Sequence, residues 1–150
     1  MILILPVTVL AGCTDPLLQG APDPGTVPSG AVIAPTAPPP PTNASSVEDF
    51  DTTTAEQRQA AVAPPAETGA RALGTTIASL GSPTEPGIWM KTPLVNAVTE
   101  GRVDYKGKSV NVELRPSGGA AGSGSQISLA AMRLLEAPLT GLPEVTVFAR

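Results

Sequence analysis

Few side chains in this sequence have types and spacings that could do chemistry. Trp89 and Lys91 stand two residues apart, Glu113 and Arg115 repeat that spacing, and Arg102 lies between the pairs. An indole beside an ammonium suits stacking on a sugar ring or a partner's hot spot. Lys91, Arg102 and Arg115 could hold an anionic group, and Glu113 is a carboxylate that could serve as acid or base. A plainer reading fits the same residues. Trp89 can be a core side chain of an aromatic-poor domain, and the cations, interleaved with Glu100, Asp104 and Glu113, can form a mixed solvated face. Cys13 is the only thiol.

Composition excludes much else. The chain has 150 residues and no His, so it has no Ser-His-Asp triad, no Cys-His dyad and no His-ligated zinc or haem. One Cys excludes an internal disulfide and a Cys-based metal site. No catalytic residue set, metal site or cofactor is expected. The aromatic residues are Phe50, Trp89, Tyr105 and Phe148, too few for the stacking that single-strand nucleic-acid binders use. A net charge of −4 also argues against nucleic acid.

The elements that must position these residues are unevenly spread. Residues 1–69 hold one cation, Arg58, and seven anions, a net −6, whereas residues 70–150 hold eight cations and six anions, a net +2. The first twelve residues are apolar and uncharged, too short to span a bilayer as a helix, and fit a secretory signal. Leu10-Ala11-Gly12-Cys13 resembles the lipobox of bacterial lipoproteins. That resemblance implies cleavage before Cys13, lipid attachment there, and anchoring in the cell envelope. No Lys or Arg precedes the apolar run, which departs from the usual signal. Thr14 stands where an Asp would imply inner-membrane retention, so the outer membrane, facing the periplasm, is expected.

Four segments follow from this reading: a signal peptide over 1–12, a lipidated Pro/Ala-rich linker over 13–46, a short helix and linker over 47–69, and a small β-barrel domain over 70–150. Nine prolines between Asp15 and Ser46 favour extended polyproline conformations and predict a disordered tether. Residues 55–63 are strong helix formers, capped by Thr53 with Glu56 or by Thr54 with Gln57, and stopped by Pro64-Pro65. With mostly Ala to bury, this helix is either a solvated spacer or a cover lying on the domain.

In the back half, residues 73–81 and 88–95 read as strands, the second interrupted by Pro93, with a turn cluster over 82–87. Residues 101–105 and 109–114 flank a hairpin turn at Lys106-Gly107-Lys108. Alternation turns Val110, Val112 and Leu114 to one face. Residues 117–125 read as a Gly/Ser loop, Ser128 as the N-cap of a helix over 129–135, and 144–148 as a last strand.

Gly107-Lys108-Ser109-Val110-Asn111-Val112-Glu113-Leu114, then Ile127-Ser128-Leu129-Ala130-Ala131-Met132 and a closing Val145-Thr146-Val147 strand, resemble the double-psi β-barrel of rare lipoprotein A. The resemblance covers residues 74–149. It implies a mainly β fold, a small double-psi-like barrel with one short helix, and association with peptidoglycan, which some of that family cleave as lytic transglycosylases. The departures are specific. The family's catalytic Asp falls on Pro116, the Asp of its helix segment on Ser128, and its His has no counterpart. The mature chain also resembles short envelope lipoproteins with a G-T-T-x-A-S-L-G…G-x-W-x-K-T-P-L-V core, some of which carry the name D-galactarate dehydratase. Sugar-acid dehydration needs a base and usually a metal, which these residues do not supply.

The expected function is therefore a lipid-anchored envelope protein with a non-catalytic binding or scaffolding barrel. Its expected partners are the membrane, through the lipid, and peptidoglycan or an envelope protein, with Trp89, Lys91, Arg102, Glu113 and Arg115 as candidate ligand contacts. The alternatives are a peptidoglycan-cleaving enzyme that uses a carboxylate such as Glu113, and the sugar-acid dehydratase.

Overall fold

The computed structural model describes residues 37–64 and 69–150. The expected signal, Cys13 and most of the expected tether lie outside them. The elements are α1 (Val47–Phe50), α2 (Ala55–Val62), β1 (Arg71–Leu80), β2 (Trp89–Thr92), β3 (Thr99–Tyr105), β4 (Lys108–Pro116), β5 (Ser125–Ile127), α3 (Leu129–Leu134) and β6 (Glu144–Ala149). The six strands close into a barrel in the order β1-β5-β2-β4-β3-β6. The chain is thus mainly β, a small closed barrel with few short helices, as its alternation and turn chemistry predict.

Two pairings in the barrel are parallel, β1 with β5 and β2 with β4; the other four are antiparallel. Side chains alternate across each strand, so one row from each fills the interior. Val110, Val112 and Leu114 of β4 are buried, joined by Ala78, Met90, Val103, Ile127, Val145 and Val147. Met132 of α3 and Leu135 just after it complete this core.

The β3–β4 hairpin turns on Lys106 at φ 46° and Gly107 at φ 82°. Two successive positive φ values in a two-residue loop make a type I′ turn, whose twist matches that of the flanking strands. β2 is shorter than residues 88–95, because Pro93 has no N–H to extend the ladder and Leu94 N bonds instead to Thr92 Oγ1 at 3.3 Å. The expected 117–125 loop gives way at Ser125 to β5. Three residues show no periodicity; pairing with β1 and β2 makes them a strand.

Ser128 Oγ accepts from Ala131 N at 3.3 Å, capping α3, and from Trp89 N at 3.1 Å, tying that helix to β2. The helix ends in a Schellman motif. Ala137 N donates to Met132 O and Glu136 N to Arg133 O, both at 3.0 Å. That geometry places Glu136 at φ 52°, where a side chain is strained and glycine is not. Its ion pair with Lys108 is exposed and adds little. Glu136→Gly is expected to stabilise the barrel by about 0.5–1 kcal/mol, read as a higher urea midpoint at unchanged slope.

The helical region lies on the barrel. Asn111, facing outward on β4, donates from Nδ2 to the carbonyls of Ala60 at 3.2 Å and Ala63 at 3.0 Å. Ala61 joins the core cluster, and Arg133 reaches Asp51 at 2.8 Å. Of the two possible capping boxes, Thr54 with Gln57 forms. A further turn, α1, is capped by Ser46 and Asp49. Backbone N–H groups of Ser45 and Ser46 hold the Asp49 carboxyl below its ordinary pKa. Its capping contribution is therefore present above the usual carboxylate pKa and fades as pH falls through the lowered value.

Packing also begins earlier than residue 47. Ala37 is buried, and the Pro38 carbonyl accepts from Thr52 Oγ1 at 2.5 Å. The last residues of the expected linker thus have a partner, which proline counting does not register.

Candidate functional site

The parallel pairing of β2 with β4 assembles the site. It sets Trp89 opposite Glu113 and Lys91 opposite Arg115, so two short motifs over twenty residues apart in sequence become one patch. The neighbouring registers extend it, since Lys91 meets Gln126 of β5 and Gln126 meets Ser79 of β1. Ser79, Gln126, Lys91 and Arg115 therefore form one outward-facing row across four strands. Their sequence neighbours Ala78, Ser125, Ile127, Met90 and Leu114 are buried, as alternation requires.

A groove of about 650 Å³ runs along this row. Its floor carries Ser79, Gln126 and Lys91, its walls are Ser117 and Ser123 of the glycine loop, and Ile77 and Leu142 supply an apolar rim. No Asp or Glu lines it among the described residues. Hydroxyl, amide and ammonium groups beside apolar surface can hydrogen-bond and cover a polar, uncharged or anionic ligand. Beneath the groove the hydroxyls of Thr76, Ser125 and Thr92 form a chain, with spacings of 3.0 and 2.9 Å, that satisfies polar groups facing inward.

Trp89 does not present a free ring. It faces outward on β2, two residues from Lys91, and takes no part in the barrel core, yet it has 0% exposure. The loop over 82–87 roofs it. Trp89 Nε1 donates to the Glu85 carbonyl at 3.3 Å, and the Lys91 ammonium and Arg115 guanidinium lie over the ring at 4.9 and 5.4 Å. Glu85 clasps both cations, Lys91 at 2.6 Å and Arg115 at 2.7 Å. The expectation that Trp89 contacts a ligand is corrected, because burial under an ionic roof leaves its faces occupied.

Glu113 accepts from Arg115 on the outer strand face and does not line the groove. Arg102 stands apart from the patch. Its guanidinium covers the Phe148 ring at 4.3 Å, and its Nη2 donates to Asp104 at 3.2 Å. Its Nε faces Asp104 Oδ1 at 2.8 Å without hydrogen-bond alignment. Arg102 is therefore engaged by Asp104 of its own strand and Phe148 of β6, and it does not join Lys91 and Arg115 in one basic face.

Sequence reasoning missed Glu85, Ser79 and Gln126. Glu85 sits in a turn cluster, where acidic residues are ordinary, and Gln126 lies in a strand too short to show a pattern. Among the described residues no group of His, Cys, Asp or Glu is placed to hold a metal, and no helix is long and apolar enough to cross a membrane. Compared with known proteins, the chain matches no family model, no curated protein and no solved structure.

Proposed function

We propose that this is a lipid-anchored protein of the bacterial cell envelope, seated at the outer membrane and facing the periplasm, whose barrel binds peptidoglycan without cutting it. The observation that carries the binding reading is the row of Ser79, Gln126 and Lys91 along an open groove that no Asp or Glu lines among the described residues. A glycan offers hydroxyl and amide groups that such a row can pair with, whereas cleaving it needs a positioned acid at the scissile bond. The lipobox-like Leu10-Ala11-Gly12-Cys13 and the rare lipoprotein A resemblance of residues 74–149 support the location and the target.

Two measurements test this. Radiolabelled palmitate should enter the wild-type chain in bacteria and not Cys13→Ala; equal labelling overturns the anchor. Purified sacculi should retain the full chain, and the pair Gln126→Ala and Lys91→Ala should weaken retention about tenfold, the worth of one or two hydrogen bonds. No retention of the wild type overturns the target. Release of anhydro-muropeptides, abolished by Glu113→Gln, would instead make the barrel a glycan-cleaving enzyme.

A further inference from the structure

β1 is longer than its partners. It pairs with β6 from Arg71 to Ile77 but meets β5 only from Ala78 to Leu80. In an antiparallel ladder, successive residues turn their N–H and C=O alternately toward and away from the partner strand. Ala78 N donates to the Pro143 carbonyl at 2.9 Å, on the β6 side, and Gly81 N to the Ile127 carbonyl at 2.8 Å, on the β5 side. Counting back from Ala78, Thr76 faces β6, while Thr75 and Ile77 face the opposite side, where no strand lies before Ala78 among the described residues. The N–H groups of both residues and the Thr75 carbonyl have no backbone partner there among the described residues. Both residues are exposed, Ile77 by 45%.

We propose that this stretch of β1 is a strand-addition site for an extended, acidic segment of a partner protein. Three observations select that occupant. Unpaired N–H and C=O groups at alternate positions along a strand are the template an extended peptide completes. Clefts border both ends of the stretch. The one at Ile77 carries Lys91, whose ammonium Glu85 already holds at 2.6 Å, and the one of about 440 Å³ at Arg71 carries Arg71, Leu94, Val95 and Arg150, the last bonded to Asn111 at 2.8 Å. Neither cleft has an Asp or Glu in its lining among the described residues; Glu100 reaches Arg150 at 3.7 Å from outside, whereas no ion pair or hydrogen bond engages the Arg71 side chain among those residues. A carboxylate at the end of the segment that lies beside Arg71 matches that unpaired cation.

A second copy of the chain fits less well. Antiparallel pairing of two β1 strands centred on Thr75 would set Arg71 of one copy beside the uncharged Ser79 of the other and give Arg71 no strand carboxylate to meet. One end of the site shares the Ile77–Lys91 groove with the glycan reading, but the backbone pairing along Thr75–Ile77 does not rest on that reading, which can fail separately.

The test uses the full chain and a fluorescein-labelled decapeptide of alternating Val and Thr with Glu at both ends. Fluorescence anisotropy should show it binding about tenfold more tightly than the same peptide ended by Lys. Methylating its alternate backbone nitrogens should abolish binding. Arg71→Glu should reverse the charge preference, and Ile77→Pro, which deletes an outward N–H while leaving the β6 ladder intact, should weaken binding about tenfold. Hydrogen exchange on the wild type reads the site directly. Thr75 and Ile77 amides should exchange quickly in the free chain and slow at least tenfold with peptide, while Thr76 and Ala78 stay protected throughout. Equal binding of the Glu, Lys and N-methylated peptides overturns the proposal. So does a free chain in which Thr75 and Ile77 are as protected as Ala78, which would assign the edge to the chain itself or to a second copy.

Discussion

Gly101→Ala is expected to lower the stability of the barrel by about 3 kcal/mol, the upper range for overpacking, and so to remove a large share of the 5–15 kcal/mol that holds a typical domain together. Gly101 lies mid-strand in β3, opposite Val112 of β4 and Ala149 of β6. A Cβ there would press into the side chain of Leu114 and, at the same time, into the carbonyl oxygen of Phe148. The first contact could relax by a rotamer change in a loose core. The second cannot, because the carbonyl belongs to the neighbouring strand and moving it opens the β3–β6 seam. Glycine is needed here for close approach rather than for backbone freedom. The check is a urea titration followed by the fluorescence of Trp89, the only tryptophan. An unchanged midpoint would mean that the strands are not packed this closely.

Trp89→Ala should cost about 3–5 kcal/mol, read by circular dichroism since the fluorophore is gone. The ring fills the space between β2 and the roofing loop so closely that a Cβ on Gly81 would come within 2.5 Å of its Cη2. Removing the ring leaves a cavity and takes away the surface on which Lys91 and Arg115 rest. Trp89→Phe keeps most of that contact and should cost less than half as much. The two variants also separate a structural tryptophan from a ligand platform. If Trp89 stacked on sugar, Phe would bind sacculi weakly in a fully folded protein. With the ring sealed under Glu85, Phe should fold and bind nearly as the wild type does. Acrylamide should quench the wild-type emission poorly, and efficient quenching would contradict the burial.

Much of the secondary structure was legible from local pattern. The Val110-Val112-Leu114 alternation, the Lys106-Gly107 turn and the Ser128 cap are each specified by residues within a few positions of one another. Their physics is short-range: side-chain period, positive φ, and a hydroxyl in reach of a free amide. Boundaries that depend on a partner were harder to read. β5 is a strand only because β1 and β2 flank it, and β1 begins two residues earlier than its pattern because β6 is there to pair with Arg71 and Ala72.

The candidate site was half legible. Trp89, Lys91, Glu113 and Arg115 stand out as rare residue types in a chain poor in aromatic and charged side chains. Arg102 stands out equally, yet it belongs elsewhere, because its strand sets it over Phe148 and beside Asp104. Composition and local spacing were enough to exclude histidine chemistry and cysteine-ligated metal, to mark an apolar leader-like run ending at Cys13, and to predict a small mainly β domain. The tertiary structure decided which residues share a surface, that the tryptophan is roofed, and that among the described residues β1 leaves part of an edge unpaired. Those outcomes rest on parallel pairing between strands distant in sequence, whose register is fixed by packing of the whole barrel and leaves no mark on either strand alone.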